Sequence, residues 1–318
     1  MVQPDGLARR AFEAGLEGLN EAQRLFDADR PVDAMIQLEA CLRWTHAALP
    51  ADDWADFVRA AREHEVRRVV HLCPLTRASY EKARGYAGDP VVLDYMYGLA
   101  EGSTFSAHPS TTPGQVYNYA ICSPVASAVR YRRSRIADLI DEIARERGPK
   151  TARVLSIAAG HLREAELSRA IQDGDLAEMR AIDQNSESVD IVDATYAHLG
   201  VVADEGSVND LIRARKRYSN YDLVYAAGLF DSLWWPVASR LAEIMLNAVR
   251  PGGKVMIANF VPEITSAPFL EVFMDWQLIY RTKDELAELF ANVRHKIASL
   301  ELWEDPHSHI AFVTATRL

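Results

Sequence analysis

The chain has 318 residues and a formal net charge of −10 at pH 7, which disfavours non-specific binding to nucleic acids or to anionic membranes. Hydrophobic residues make up 49% and charged residues 25% of the chain, the balance of an ordinary globular protein. This length suits one large α/β domain with an additional module.

The cysteines and the lengths of the apolar runs indicate the cellular compartment of the protein. Cys41, Cys73 and Cys122 are scattered and odd in number, which predicts a reducing compartment and no metal site. No apolar run approaches the roughly 18 residues that cross a bilayer, and the N-terminal residues lack the apolar core of a signal peptide. We therefore expect a cytoplasmic protein with no membrane contact.

The first half of the chain has helical periodicity. Apolar residues spaced three or four apart predict helices over 7–26, 32–49 and 54–72, with Pro31 and Pro50 at the breaks. An irregular stretch rich in glycine and aromatic residues follows over 73–112, and one long helix is predicted over 113–147. We expect residues 1–148 to form a helical cap domain that shapes a substrate site.

From residue 149 onward, short apolar runs alternate with helical segments. This alternation predicts a parallel sheet covered on both faces, with strands at 152–158, 177–182, 199–203, 221–227 and 253–260. Two further strands, 296–302 and 309–316, are separated by a short loop without a helix, so they should pair antiparallel. Residues 149–318 are therefore predicted to form a Rossmann-like, seven-stranded α/β domain.

The first strand–helix–strand unit has the pattern of a nucleotide site. The run Ala152-Arg-Val-Leu-Ser-Ile-Ala-Ala-Gly160 ends in small residues, a helix is predicted over 161–173, and the second strand ends at Asp183. The spacing is 183 − 160 = 23 residues, near the roughly 20 of dinucleotide-binding units. Asp183 could accept hydrogen bonds from ribose hydroxyls, or it could cap the following helix.

Three features separate the candidate cofactors. The turn after the first strand lacks the G-x-G-x-x-G pattern that a pyrophosphate requires, which favours S-adenosylmethionine (SAM) over a nicotinamide dinucleotide. The segment Leu246-Asn-Ala-Val-Arg-Pro-Gly-Gly-Lys-Val255 and the closing hairpin resemble the fifth-strand region and the reversed last strand of class I methyltransferases.

Several blocks resemble the bacterial methyltransferases related to the enzyme that makes 3-hydroxy-palmitic acid methyl ester, an extracellular signal. They span about residues 70–318 and read Arg84-Gly-Tyr-Ala-Gly-Asp89, Leu93-Asp-Tyr-Met-Tyr97, Ala128-Val-Arg-Tyr-Arg-Arg133, Tyr225-Ala-Ala-Gly-Leu-Phe-Asp-Ser-Leu233, Asn259-Phe260 and Met274-Asp-Trp-Gln-Leu-Ile-Tyr-Arg281.

This resemblance implies a class I fold and SAM as cofactor. One departure is that Ser156 and Ala158 stand where such enzymes usually have an acid and a glycine. The resemblance then implies that other residues, such as Arg84 or Tyr86, contact the methionine end of SAM.

The candidate site residues follow from the ends of the predicted strands and from the resemblance. For the cofactor they are Arg84, Ser156, Ala158, Gly160, His161, Asp183, Gln184, Ser207, Val208, Asn209, Ala227 and Gly228. For catalysis they are Tyr86, Asp89, His161 and Tyr280, and for the substrate Tyr95, Asp231, Asn259, Trp276, Tyr280 and Arg281. Two alternatives stay open here: an Arg84–Asp89 ion pair in a packed loop, and a helix that buries Trp276 and Tyr280 on one face.

The sequence therefore predicts SAM-dependent methyl transfer to a carboxyl, hydroxyl or amine of a small molecule, by in-line displacement. The alternatives are a nicotinamide-dependent oxidoreductase and a non-catalytic protein of the same fold. The amphipathic N-terminal helices also suggest a homodimer.

Overall fold

The computed structural model describes residues 4–98 and 108–318. It divides into two compact units, Met1–Ser127 with Ile264–Gln277, and Ala128–Glu263 with Leu278–Leu318. The expected boundary at 148/149 differs from this division, because most of one long helix groups with the second unit and residues 264–277 group with the first. Residues 99–107 of the predicted irregular stretch lie outside the described ranges.

The first unit is helical. Its helices are α1 (Pro4–Asp27), α2 (Pro31–Ala48), α3 (Ala51–Glu63), α4 (Val66–Val70), α5 (Pro74–Glu81), α6 (Pro90–Tyr97) and α7 (Thr112–Ile121), and helix α13 (Ala267–Phe273) joins them later in the chain. Proline at the first helical position starts α2, α5 and α6, where its missing N–H costs nothing. Leu19, Leu38 and Phe57 are fully buried in this unit.

Two predicted helices are each divided in the structure. The pattern over 54–72 becomes α3 and α4, because the chain is extended at His64, whose Nδ1 accepts a 3.1 Å hydrogen bond from the Val66 N–H. The predicted helix over 113–147 becomes α7 and α8 (Pro124–Arg147). Pro124 cannot continue a helix from the preceding turn, because its ring clashes there and it has no N–H to donate.

The second unit contains one seven-stranded mixed sheet. Its strands are β1 (Arg153–Ile157), β2 (Glu178–Asp183), β3 (Val201–Glu205), β4 (Tyr221–Ala226), β5 (Val249–Phe260), β6 (Ile297–Glu304) and β7 (Ile310–Arg317). They lie in the order β3-β2-β1-β4-β5-β7-β6. The first five are parallel, and β7 runs antiparallel to both of its neighbours. The predicted seven-stranded α/β sheet with a reversed last strand is confirmed.

The helices of this unit are α8 from Ala128, α9 (Arg169–Gln172), α10 (Ser186–Tyr196), α11 (Val208–Ile212), α12 (Trp235–Ala248) and α14 (Lys283–Glu288). The sheet is apolar where these helices cover it, and Tyr225, Phe230, Phe260 and Phe312 are fully buried. None of the helices in the described ranges combines the length and apolar character that a membrane span requires.

The predicted helix over 161–173 does not form as one element. The residues between β1 and β2 contain a short 3₁₀ helix, Arg163–Glu166, and the single turn α9. Ser168 starts a new N-terminus, since its Oγ accepts a hydrogen bond from the Ile171 N–H and donates one of 2.7 Å to Asp141 on α8. This cap interrupts the helix that the sequence pattern predicts.

Candidate functional site

The strand order places a ligand-binding edge between β1 and β4. From β1 the sheet extends through β2 and β3 on one side, and from β4 through β5 on the other. In open parallel sheets, ligands bind outside the carboxyl ends of the strands at such a switch point. The segments that follow β1, β2 and β4 therefore form the candidate site.

The segment after β1 has an unusual backbone. Ala158, Gly160 and Leu162 all have left-handed conformations, with φ of 54°, 55° and 50°. Glycine adopts this conformation without cost, whereas alanine and leucine each pay about 1–2 kcal/mol. Ala158 occupies the position at which the sequence analysis expected a glycine, and its backbone has a conformation that glycine adopts without strain.

Asp183 at the end of β2 fixes this segment. Its Oδ2 accepts a hydrogen bond of 2.8 Å from the Gly160 N–H, and its Oδ1 accepts one of 2.9 Å from the Asn185 N–H. The Asn185 side chain, not Asp183, caps helix α10, because it accepts a hydrogen bond from the Ser188 N–H. The alternative that Asp183 is the helix cap is therefore wrong.

The other predicted cofactor residues differ in their surroundings. Ser156 is buried within β1, beside Ala181 of β2 and Tyr225 of β4. His161 is buried directly after the loop, whereas Gln184 is exposed.

The predicted cofactor residues Ser207, Val208 and Asn209 lie at the start of helix α11. Ser207 caps this helix in a capping box with Asp210, to whose Oδ2 the Ser207 hydroxyl donates a hydrogen bond of 2.7 Å. Val208 and Asn209 lie in its first turn, half-buried and exposed respectively. Their backbone is thus fixed by local hydrogen bonds.

The segment after β4 contains Ala227, Gly228 and Asp231. Gly228 is exposed, and Asp231 is 4% exposed. Asp231 Oδ1 accepts a hydrogen bond of 2.7 Å from the Phe260 N–H. Burial raises the pKa of the Asp231 carboxyl to about 6, against the opposing effects of that hydrogen bond and of the charges on Arg132 and Arg281.

Three predicted substrate or catalytic residues lie beside the end of β5. The Arg281 guanidinium is buried and donates hydrogen bonds to the Phe230 carbonyl (2.6 Å), to Asn259 Oδ1 (2.8 Å) and to the Leu233 carbonyl. The Asn259 amide donates to the carbonyls of Phe260 and Ile279. Arg281 and Asn259 thus connect β5 to the segment after β4. Tyr280 is half-buried next to them in the chain.

Two buried charged residues at this edge were missed by the sequence analysis. Glu164 is 6% exposed and accepts a 2.6 Å hydrogen bond from the Tyr225 hydroxyl, and burial raises the pKa of Glu164. Arg132 on α8 is 2% exposed. A signal for Arg132 existed, because it lies three residues after Val129 and four before Ile136, both buried, and so on the apolar face of the helix.

No protein-family model matches the sequence, and no curated protein matches it either. Among solved structures, the chain is similar to a protein of Bordetella parapertussis described as a possible exported protein, at a TM-score of 0.60 and 16% identity over 84% of this chain and 96% of that one. It is also similar to the carbon methyltransferase CurJ, at a TM-score of 0.50 and 11% identity over 81% and 67% of the two chains. A third similar structure is the SAM-dependent methyltransferase SibL, at a TM-score of 0.48 and 14% identity over 77% and 74%.

The fold is that of class I methyltransferases. The strand order with a reversed β7 and the similarity to CurJ establish it, together with the helical N-terminal region. The predicted fold class is confirmed.

The remaining predicted residues lie in the first unit. Asp89 is buried and caps α6, where its Oδ1 accepts hydrogen bonds from the Val91 and Val92 N–H groups. Arg84 and Tyr86 are half-buried in the turns before it. Tyr95 lies on α6, and its carbonyl accepts a hydrogen bond from the Tyr117 hydroxyl.

Trp276 packs on Gly88. A Cβ at Gly88 would lie 2.4 Å from Trp276 Cζ2, so only glycine allows this contact. Residues 276–280 are not helical, because α13 ends at Phe273. The alternative of one helix face that buries Trp276 and Tyr280 is therefore wrong.

One exposed feature after β4 was also missed. Trp234 and Trp235, at the start of α12, are 77% and 43% exposed, although large aromatic side chains are usually covered. Among residues 4–98 and 108–318, no three His, Cys, Asp or Glu side chains are grouped as metal ligands.

Proposed function

We propose that this protein transfers a methyl group from SAM to a small molecule. The observation that carries the proposal is the connection from β1 to β2, where the loop is fixed by Asp183 and a long helix does not follow. A dinucleotide pyrophosphate binds at the N-terminus of such a helix. An adenosine cofactor without phosphates needs only the loop and the carboxylate.

The residues at this edge fit such a cofactor. Each Asp183 carboxylate oxygen uses one lone pair for a backbone N–H and keeps another that can accept from a ribose hydroxyl. Gly228 presents no side chain, so a ligand can approach the backbone after β4. We assign Ser207, Val208 and Asn209, which follow β3, the role of flanking the adenine.

SAM would supply an electrophilic methyl group on a sulfonium that leaves readily. The protein then has to position the acceptor in line with that methyl group and exclude water. A carboxylate acceptor needs no base, whereas a hydroxyl or amine needs a group that takes its proton. We keep His161, Tyr280, Tyr86 and Asp89 as the proposed residues for that role.

The acceptor is proposed from the sequence resemblance. The blocks at 84–89 and 274–281 resemble the methyltransferases related to the 3-hydroxy-palmitic acid methyl ester enzyme, which favours a carboxyl group of a small organic acid. We assign acceptor selection to the first unit through Tyr86, Tyr95 and Trp276, and cofactor binding to the second.

A cytoplasmic location is supported by Cys41, Cys73 and Cys122, which form no disulfide bond.

A homodimer through the N-terminal helices is a further part of the proposal. Val32 and Ile36, one turn apart on α2, are 41% and 53% exposed, and Trp44 on the same helix is 54% exposed. Exposed apolar residues on one helix favour association. Light scattering of the wild-type protein and of Ile36→Glu tests it: a wild-type dimer that becomes a monomer in the variant supports it.

Calorimetric titration tests which cofactor the protein binds. The wild-type protein should bind S-adenosylhomocysteine and show no heat with NADH, and Asp183→Ala should weaken the binding at least tenfold. Asp190→Ala, in an exposed position on α10, is the control and should bind as the wild type does. Binding of NADH without S-adenosylhomocysteine would instead establish the oxidoreductase.

Methyl transfer itself is tested with methyl-labelled SAM and fractionated small-molecule extracts. Label in a small molecule supports the proposal, and its loss on mild alkaline hydrolysis identifies a methyl ester. Tight cofactor binding without label transfer to any fraction would favour the non-catalytic alternative.

A further inference from the structure

Arg132 is a buried cation at the carboxyl edge of the sheet. It belongs to the part of α8 in the second unit, and only 2% of its surface is exposed. Its charge acts on Glu164, which follows the β1 loop, and on Asp231, which follows β4. Its guanidinium also lies beside Gly228, two residues after the end of β4, so Arg132 is at the switch point between β1 and β4.

The hydrogen bonding of Arg132 is incomplete. Within the described part of the chain, its Nε is buried and has no hydrogen-bond partner. The next residue is different, because Arg133 donates to the Arg163 carbonyl (2.8 Å) and to Glu166 (2.5 Å). A buried guanidinium N–H without an acceptor is costly, so an acceptor from a ligand would complete the site.

Gly228 lies close to the guanidinium of Arg132, with no side chain between them. A Cβ at this position would lie 3.3 Å from Nη2 and 3.4 Å from Nη1 of Arg132, and Gly228 itself is exposed. Both terminal nitrogens thus lie near the exposed backbone after β4. Planar guanidinium groups bind carboxylates through two parallel hydrogen bonds.

The surrounding charges favour a zwitterion over a simple anion. Glu164 and Asp231 lie near Arg132, and a phosphate or sulfate would be repelled by them when they are ionised. An α-amino acid group carries an ammonium beside its carboxylate, so it would meet charges of opposite sign on both sides. Glu164 Oε1 accepts a hydrogen bond from the Tyr225 hydroxyl and Asp231 Oδ1 accepts one from the Phe260 N–H. Each carboxylate keeps other lone pairs that could accept from an ammonium.

We propose that the Arg132 guanidinium binds the α-carboxylate at the methionine end of SAM. This inference rests on the proposed function and replaces the expectation that Arg84 or Tyr86 makes this contact. Arg132 would also supply a contact to the amino-acid end of SAM in a site where Ser156 and Ala158 replace the usual acid and glycine.

Comparing two ligands measures how much the α-carboxylate of SAM contributes to the binding affinity. SAM and decarboxylated SAM differ only in that group, and both are titrated calorimetrically into the wild type and into Arg132→Met. The variant should lose about ten- to hundredfold in affinity for SAM, the usual range for hydrogen bonds to a charged group. Its affinity for decarboxylated SAM should stay within about twofold of the wild-type value.

Two further variants keep the test decisive. Arg132→Lys keeps the positive charge next to Glu164 and Asp231 but loses the two parallel N–H donors of the guanidinium. It should therefore weaken the binding of SAM severalfold more than the binding of decarboxylated SAM. This variant provides the test if Arg132→Met fails to fold. Arg135→Met removes a neighbouring arginine of α8 that is paired with Glu142 and should bind both ligands as the wild type does.

The possible outcomes separate the two proposals. If the Arg132 variants lose equal affinity for both ligands, or lose none for either, the proposed role of Arg132 is wrong. The proposed function is still supported in that case if the wild-type protein binds SAM. A wild-type protein that binds neither ligand would overturn both.

Discussion

Asp183 Oδ2 and the backbone N–H of Gly160 are joined by a hydrogen bond of 2.8 Å. The bond links the end of β2 to the loop after β1, so one carboxylate determines the shape of the neighbouring loop. Burial of this pair from water makes each partner expensive to remove.

Asp183→Asn should lower the free energy of unfolding by about 1–3 kcal/mol, because an amide can accept only one of the two backbone N–H groups and turns its own N–H₂ toward the other. Urea denaturation measures this. Asp190→Asn on α10 is the control and should change stability by less than about 0.5 kcal/mol. Equal effects of the two substitutions would show that the Gly160 contact is not formed.

Ala158→Val should destabilise the protein by about 1–3 kcal/mol, since a β-branched residue is poorly compatible with a φ of 54°. Ala158→Gly should stay within about 1 kcal/mol of the wild type, because relief of strain is offset by greater freedom of the unfolded chain. Ala159→Val, at the next position of the loop, is the matched control. If both valine variants lose equal stability, crowding and not the backbone conformation is responsible.

Gly88→Ala should displace the Trp276 ring, because the new methyl group would lie 2.4 Å from Cζ2. Overpacking of this kind costs about 1–3 kcal/mol, and thermal unfolding together with tryptophan fluorescence detects it. In a Trp276→Leu background the same substitution should cost less. An unchanged cost in that background would argue against the contact.

Asp231→Asn should stabilise the protein at neutral pH and have little effect in acid. The folded state holds the Asp231 proton up to about pH 6, whereas the unfolded carboxyl loses it near pH 4. The contribution of the Asp231 carboxyl to the free energy of unfolding is therefore fully present below pH 4 and falls as the pH rises to 6. The variant, which cannot ionise, should gain about 1–3 kcal/mol over the wild type at pH 8.

Urea unfolding of both proteins at pH 4, 6 and 8 measures that difference. The gain of Asp231→Asn should grow between pH 4 and pH 6 and then remain constant. A gain that is the same at all three pH values would mean that the Asp231 carboxyl is not buried as the structure has it.

Arg281→Gln should destabilise the protein by about 3–5 kcal/mol, because the Phe230 and Leu233 carbonyls and Asn259 Oδ1 all lose a buried charged donor. The melting temperature reports this loss. Arg240→Gln, exposed on α12 and ion-paired with Glu243 one turn away, should leave the melting temperature nearly unchanged.

The sequence predicted the sheet well because its strands are continuous apolar runs, and period and length separate such runs from helices. It predicted the helix after β1 less well, because Ser168 and Asp141 cap a new turn through a contact made only in the folded chain. The predicted helix over 113–147 includes Pro124, at which the structure begins a new helix.

The candidate site was also predicted only in part from the sequence. Gly160 and Asp183 follow from local spacing, and the structure joins them. Arg281 was expected to bind substrate, but its partners lie 22 to 51 residues away in the chain, so sequence spacing could not show that protein groups accept its hydrogen bonds. Arg132 was hidden because arginine on a helix is usually exposed, and only its position among buried residues marked it.

The reversed β7 between β5 and β6 has a consequence for biosynthesis. β5 pairs with β4 on one side, but its other side has no partner until residues 310–317 have left the ribosome, and β6 pairs only with β7. Until then the nascent chain presents the apolar residues of β5 on an open strand edge, which is a template for aggregation. Slow translation or a nonsense codon before residue 310 should therefore yield insoluble chains rather than a smaller folded protein.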